Sequence, residues 1–165
     1  MRNSMITMII GIDPDVHKSG YCVIRGKKVE EVTCLPFPSL VERLMDVRES
    51  GENPLIVVEG GWLNKTLWHF AYTKGARVSG NIGKRIGANH QTGKHIVEMC
   101  EFWGMNVRVQ KPLGKRWKGR DGKITHEELQ SILRSNGYSD LPRKVTNQDE
   151  RDSVLLAIAG DNMGY

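Results

Sequence analysis

Apolar residues near the N-terminus fall into two short blocks, Met5 to Ile12 and Tyr21 to Ile24, separated by Asp13-Pro14 and by a Ser19-Gly20 turn. Runs of this length bounded by turn residues predict strands, here a β-hairpin with one carboxylate, Asp13, at its lip. Lys28 to Leu35 carries uncharged side chains at Val29, Val32 and Cys34 and predicts a third, edge strand, stopped by Pro36 and Pro38. The period then changes. Leu40, Val41, Leu44, Met45 and Val47 recur at helical spacing up to Glu49, with Ser39 as N-cap and Ser50-Gly51 as the stop. Leu55 to Val58 is a compact apolar run ending in Glu59-Gly60-Gly61, the pattern of a buried parallel strand reached by a helical crossover.

Trp62 to Tyr72 is rich in aromatic residues, and Lys74 to Arg85 is basic and rich in glycine. Together they predict an ordered loop feeding a long helix from about Gly87 to Phe102, with Ile96, Val97, Met99, Cys100 and Phe102 as its apolar positions and Gly104 as its C-cap. Asn89, His90, Gln91 and Thr92 open that helix with polar groups suited either to phosphate contact or to capping. Val107 to Val109 predicts a fifth strand. Lys111 to Lys123, with six Lys or Arg residues, one Trp and three Gly, is too irregular for a helix. Thr125 and Glu128 form a capping box ahead of Leu129, Ile132 and Leu133. A last helix begins near Asn147 to Asp149 and runs to about Gly160. This order predicts an α/β fold. Its five-stranded mixed sheet joins an antiparallel three-strand meander to two parallel strands, with helices on both faces, the ribonuclease H-like architecture.

Composition adds a partner to this picture. The 165 residues, 39% hydrophobic and 26% charged, suit a single domain with its own core. The 24 Lys and Arg outnumber the 19 Asp and Glu, a formal charge of +5 that favours a polyanion. Cys22, Cys34 and Cys100 are odd in number, scattered and without metal-ligand spacing, and predict reduced core thiols in a cytoplasmic protein. The Met5 to Ile12 run is too short for a membrane span, and no small-residue cleavage site follows it. Neither a membrane nor a small-molecule cofactor is expected.

The candidate chemistry lies in the acids. Parallel strands align their C-terminal ends, so Asp13 and Glu59 are expected as neighbours. Asp149 and Asp152, at i and i+3, share one face of the last helix. If that helix docks over the strand ends, four carboxylates converge, an arrangement that repulsion disfavours unless divalent cations fill it. Oxygen ligands of this kind suit Mg2+ or Mn2+, and a pair of such ions can activate a water and stabilise the leaving oxygen of a phosphodiester. Each acid also has a plainer reading: Asp13 as a turn former, Glu59 in an ion pair, Asp149 and Asp152 as the usual acidic decoration of a helix N-terminus. Asp15 reads as a turn residue.

The segments GIDPDVHKSGYCVI, IVVEGGW and DERDSVLLAIA resemble the active-site strands and terminal helix of RuvC-type Holliday junction resolvases, and KPLGKRWKGRDGKITHEELQSIL is similar to that family's basic loop and following helix. The resemblance implies a homodimeric, Mg2+-dependent endonuclease, with two ions per site, that nicks two strands of a four-way DNA junction symmetrically. In it Asp13, Glu59, Asp149 and Asp152 match the metal-binding acids. Trp62 falls where the family carries an aromatic that meets DNA bases, and a core tryptophan remains the alternative. The Gly61 to Gly93 stretch is longer and richer in aromatics and glycine than the family pattern, and His126 stands where a lysine is expected.

Lys74, Lys84 and Arg85 in one stretch, and Lys111, Lys115, Arg116, Trp117, Lys118, Arg120 and Lys123 in another, are read as two basic loops flanking the crevice. Their expected role is phosphate neutralisation, with solvated surface charge as the alternative. The Gly87 to Phe102 helix is the candidate dimer contact. Two other functions share these features: a ribonuclease H-like nuclease acting on RNA or other branched nucleic acid, and an inert junction-binding protein. An actin-like or sugar-kinase ATPase needs a two-domain clamp that 165 residues do not supply.

Overall fold

The computed structural model describes residues 7–64 and 76–162. Five strands form one sheet: β1 (Met8–Asp13), β2 (Ser19–Arg25), β3 (Lys28–Leu35), β4 (Leu55–Glu59) and β5 (Asn106–Gln110), in the order β3-β2-β1-β4-β5. The first three are antiparallel, while β4 runs parallel to both β1 and β5. The helices are α1 (Phe37–Glu49), α2 (Ala76–Phe102), α3 (His126–Ser135) and α4 (Gln148–Asn162). This is the expected α/β arrangement, with β3 at the edge. Among the described residues no helix is long and apolar enough to cross a membrane.

Strand side chains alternate between faces, and the two faces build two cores. Ile9, Cys22, Ile24, Leu55 and Val57 pack with Leu129 and Leu133 of α3 and Val154, Leu156 and Ala157 of α4. Met8, Ile10, Ile12, Tyr21, Ile56 and Val58 pack with Leu40 and Leu44 of α1 and Ile96 and Cys100 of α2. Most of these side chains are fully buried, each contributing roughly 1.5–3 kcal/mol of transfer free energy. All three cysteines are free; Cys22 and Cys100 are buried, and Cys34 is half-buried.

Two glycines let α4 sit close. A Cβ on Gly11 of β1 would overlap the carbonyl oxygen of Ser153 and lie 2.9 Å from the Ala157 nitrogen. One on Gly20 of β2 would overlap the Asp149 carbonyl. The backbone of α4 therefore rests on bare strand backbone, with its first turn beside the end of β1.

Three boundaries differ from expectation. Ser19 and Gly20 belong to β2, paired with Leu35 and with Asp13; the reversal lies before them, where Asp15 Oδ1 accepts the His17 N–H at 2.8 Å and the Lys18 N–H at 3.4 Å. α1 starts at Phe37 on Pro36, and Ser39 caps nothing, because a proline in the first turn lacks only an N–H that has no helical partner anyway. α2 is 27 residues long and includes Lys84 and Arg85, so the basic, glycine-rich stretch is helical from Ala76 onward and not a loop. Asn89 to Thr92 consequently lie well inside that helix and not at its N-terminus. Cβ positions on Gly80, Gly83 and Gly87 would meet nothing within 4 Å, and nothing in the structure explains why glycine occupies them.

Candidate active site

Strand register places the first two acids. Ile12 of β1 is the partner of Val58 in β4, so the next residues, Asp13 and Glu59, end adjacent strands. By the same alternation they follow Gly11 and Val57 onto the face covered by α4. The two carboxyls share a hydrogen bond. Asp13 is held well above the usual carboxylate range, first by burial, then by the bond to Glu59 and by the charges of Glu59, Asp152 and Asp149.

The other two acids arrive on α4. Its N-terminus is closed by a reciprocal cap: Asn147 Oδ1 accepts the Glu150 N–H at 2.9 Å, and Glu150 Oε2 accepts the Asn147 N–H at 2.9 Å. Glu150 is only 4% exposed and also pairs with Arg143. That cap aims Glu150 away from the cleft and leaves Asp149 and Asp152 to line it. Burial pushes both carboxyls up. For Asp149 the Asp15 charge adds to burial while Lys123 and Arg85 oppose it; for Asp152 the Gln148 hydrogen bond and Lys123 oppose it.

The result is a cleft of about 290 Å³ whose walls include Asp13, Asp15, Glu59, Asp149 and Asp152, faced by Lys115, Trp117 and Lys123. Asp15 is a turn residue, as expected, and also a fifth carboxylate of this cleft. Burial would raise it, but N–H donation from His17 and Lys18, the Asn89 amide and the Arg85 charge hold it below the usual range. Asn89 Oδ1 accepts the Val16 N–H at 2.8 Å while its Nδ2 donates to Asp15 at 3.1 Å, and Arg85 lies 3.6 Å from the same carboxylate. α2 thus clasps the turn that follows Asp13. This link joins residues more than seventy positions apart, and no local pattern marks it.

A smaller cleft of about 180 Å³ opens from Asp13 and Glu59 toward Trp62 and His90. The two rings meet edge to face, centroids 6.4 Å apart. Each ring sits over a glycine: a Cβ on Gly61 would lie 2.6 Å from His90 Nε2, and one on Gly93 would lie 2.6 Å from Trp62. Burial and Lys94 lower the pKa of His90 against a weaker pull from Glu59.

The remaining basic candidates divide. Lys115 and Lys123 face the acids; Lys111, Arg116, Lys118 and Arg120 are exposed on the same loop without lining the cleft. Trp117 is half-buried, packed on the α3–α4 core, with the Arg116 guanidinium 5.1 Å from its ring. Lys84 is exposed on α2, and Lys74 lies outside the described residues. His126 starts α3 and meets the Thr146 hydroxyl at 2.8 Å. On the helix expected to make the dimer contact, Ile96 and Cys100 are buried in the chain's own core, whereas Phe102 at its end is 86% exposed.

Among the described residues, no group of three or more His, Cys, Asp or Glu side chains stands ready-made around one metal position. The acids share a cleft but are not gathered to a point, as expected of like charges with Asp13 bonded to Glu59.

No protein-family model matches the chain, and no curated protein matches it. Solved structures do. The chain is similar to Thermus thermophilus RuvC in complex with a Holliday junction substrate, at 14% identity and a TM-score of 0.53, over 92% of this chain and 90% of that one. Similarity extends to a second structure of the same RuvC (16% identity, TM-score 0.49, 92% and 91% covered) and to the yeast mitochondrial Holliday junction resolvase (13%, 0.36, 90% and 76%). The chain has the RuvC-type, ribonuclease H-like fold, as the sequence resemblance implied.

Proposed function

We propose that this chain is a structure-selective endonuclease that resolves four-way DNA junctions by metal-dependent phosphodiester hydrolysis. The observation that carries the reading is the cleft at the strand ends, where Asp13 and Glu59 from adjacent parallel strands meet Asp149 and Asp152 from α4 opposite Lys115 and Lys123. Support for the substrate comes from the fold, which is that of a RuvC bound to a Holliday junction. Like carboxylates packed together in a half-buried site are tolerated only with a proton or a cation among them. The donor set fits the second alternative. It is all carboxylate oxygen, the hard ligand type that selects Mg2+ or Mn2+.

Asp13, Glu59, Asp149 and Asp152 would hold the ions, two per site in this reading. Bound there, they supply the positive charge that lowers the pKa of an attacking water and stabilises the leaving oxygen. The chain's own residues do the rest. Asp13, whose carboxyl is held above the usual range by burial and by the neighbouring acids, has to be ionised to take part. Lys115 and Lys123, with Lys84, Arg85, Lys111, Arg116, Lys118 and Arg120 around them, neutralise backbone phosphates without reading sequence. Trp62 offers a ring face to an unstacked base near the cut. Symmetric nicking of two strands calls for two such sites, supplied by a homodimer.

The test is cleavage of a synthetic four-way junction against linear duplex and an RNA–DNA hybrid, with Mg2+ or EDTA. Expected are Mg2+-dependent paired nicks in the junction, and a loss of about a hundredfold or more in Asp13→Asn, Glu59→Gln, Asp149→Asn and Asp152→Asn, the scale of removing one electrostatic stabiliser. Equal cutting of the hybrid overturns the junction assignment. Wild-type rates in the Asn variants overturn the site.

A further inference from the structure

Gln148, the first residue of α4, donates from Nε2 to Oδ1 of Asp152 at 2.7 Å. Chemistry decides which end of the amide faces the carboxylate. Oε1 accepts from Arg151 Nη2 at 3.1 Å, and a guanidinium only donates. Arg151 is anchored in turn, its Nε donating to the Ile124 carbonyl at 2.9 Å and its Nη1 to the Thr146 carbonyl. A directional chain of hydrogen bonds therefore runs from two backbone carbonyls through Arg151 and Gln148 to Asp152.

On an exposed helix, a Gln–Asp pair four residues apart contributes little. Here the acceptor is a half-buried carboxylate near Glu59 and Asp149, where every added donor matters more. The helix does not need Gln148 as a cap, because Asn147 and Glu150 already close its N-terminus. Ile124 directly follows Lys123, a cation that lines the cleft and whose charge acts on both Asp149 and Asp152, so Arg151 also fixes the exit of the basic loop.

We propose that Gln148 is the positioning residue of Asp152: it engages one carboxylate oxygen and leaves the other acceptor positions of that group to the cleft, while Arg151 locks the Gln148 amide and ties it to the end of the basic loop. This rests on the nuclease reading above. It assigns a role to two residues outside the acid set, and makes the orientation of Asp152 depend on the segment that carries Lys123.

Gln148→Met keeps the side-chain volume and removes both bonds. Expected for the full chain are near-wild-type thermal unfolding in EDTA and junction binding. Mn2+ affinity, read by electron paramagnetic resonance, should weaken about tenfold, the scale of losing an outer-shell partner. Junction cleavage should fall at low Mn2+ and recover as Mn2+ is raised. Arg151→Lys, which cannot hold Gln148 and both carbonyls together, should weaken Mn2+ in the same direction, and the double variant should bind no more weakly than Gln148→Met, since both act through one bond. Wild-type Mn2+ affinity in Gln148→Met overturns the positioning role, and additive losses in the double variant overturn the relay. If the wild type binds no Mn2+, or Asp152→Asn binds it unchanged, the nuclease reading fails and this inference with it. That outcome is distinct from one confined to Gln148.

Discussion

Gly11 lies directly beneath Ser153, with no room between the β1 backbone and the α4 carbonyl for even a methyl group. The contact sets the depth at which α4 crosses the sheet, and so the distance of Asp149 and Asp152 from Asp13. Gly11→Ala is expected to push α4 off the sheet and destabilise the protein by about 1–3 kcal/mol or more, the cost of overpacking against backbone that cannot yield. A lower urea midpoint checks it. Gly20→Ala, which meets the Asp149 carbonyl in the same way, should behave alike.

The raised pKa of Asp13 makes stability depend on pH in a defined direction. The folded state holds this proton above the pH at which the unfolded chain releases it, so it binds more protons across that window. Stability without metal should therefore fall as pH rises from the ordinary aspartate range up through the raised value. Asp13→Asn should flatten this fall and melt higher than the metal-free wild type at pH 7. Melting curves with and without Mg2+ complete the test: the ion should stabilise the wild type at neutral pH and do little for the variant.

Glu150 is nearly buried and belongs to the cap, not to the acid cluster. Glu150→Ala should cost about 1–2 kcal/mol through the lost cap, more if Arg143 is left without its partner. Glu150→Gln, which keeps an acceptor for the Asn147 N–H, should cost less. Chemical denaturation of the three proteins side by side decides between a capping role and a surface charge.

Trp62 is half-exposed beside His90 at the mouth of the smaller cleft. Trp62→Ala should leave the fold near wild type and weaken cleavage or binding of the junction by a stacking contribution of about 1–3 kcal/mol, roughly 5- to 150-fold. Unfolding of the variant without a junction effect would mark the ring as core.

Strand and helix identities were legible in the sequence because they rest on local periodicity. Val29 and Val32 mark β3, the LIVV run marks β4, and Thr125 with Glu128 marks the start of α3. The order of those elements was enough to predict the sheet, and the position of Asp13 and Glu59 at the ends of parallel strands followed from register. Errors fell where local signals conflict with tertiary ones. Glycines 80 and 83 argue for a loop, yet the chain is helical there; Ser19 and Gly20 argue for a turn, yet both pair inside β2, Ser19 with Leu35 and Gly20 with Cys34 and Asp13.

What the sequence determined by itself is therefore the architecture and the acids at its strand ends, since alternation and helical spacing fix which way a side chain points. Tertiary structure alone decided how those acids are held. The close seat of α4 on Gly11 and Gly20, the clasp of Asn89 on the Asp15 turn and the Arg151–Gln148 link to Asp152 join α4 to the sheet, α2 to the turn, and a loop exit to the acid cluster. Such contacts depend on distances between elements, and no periodicity along one chain encodes them.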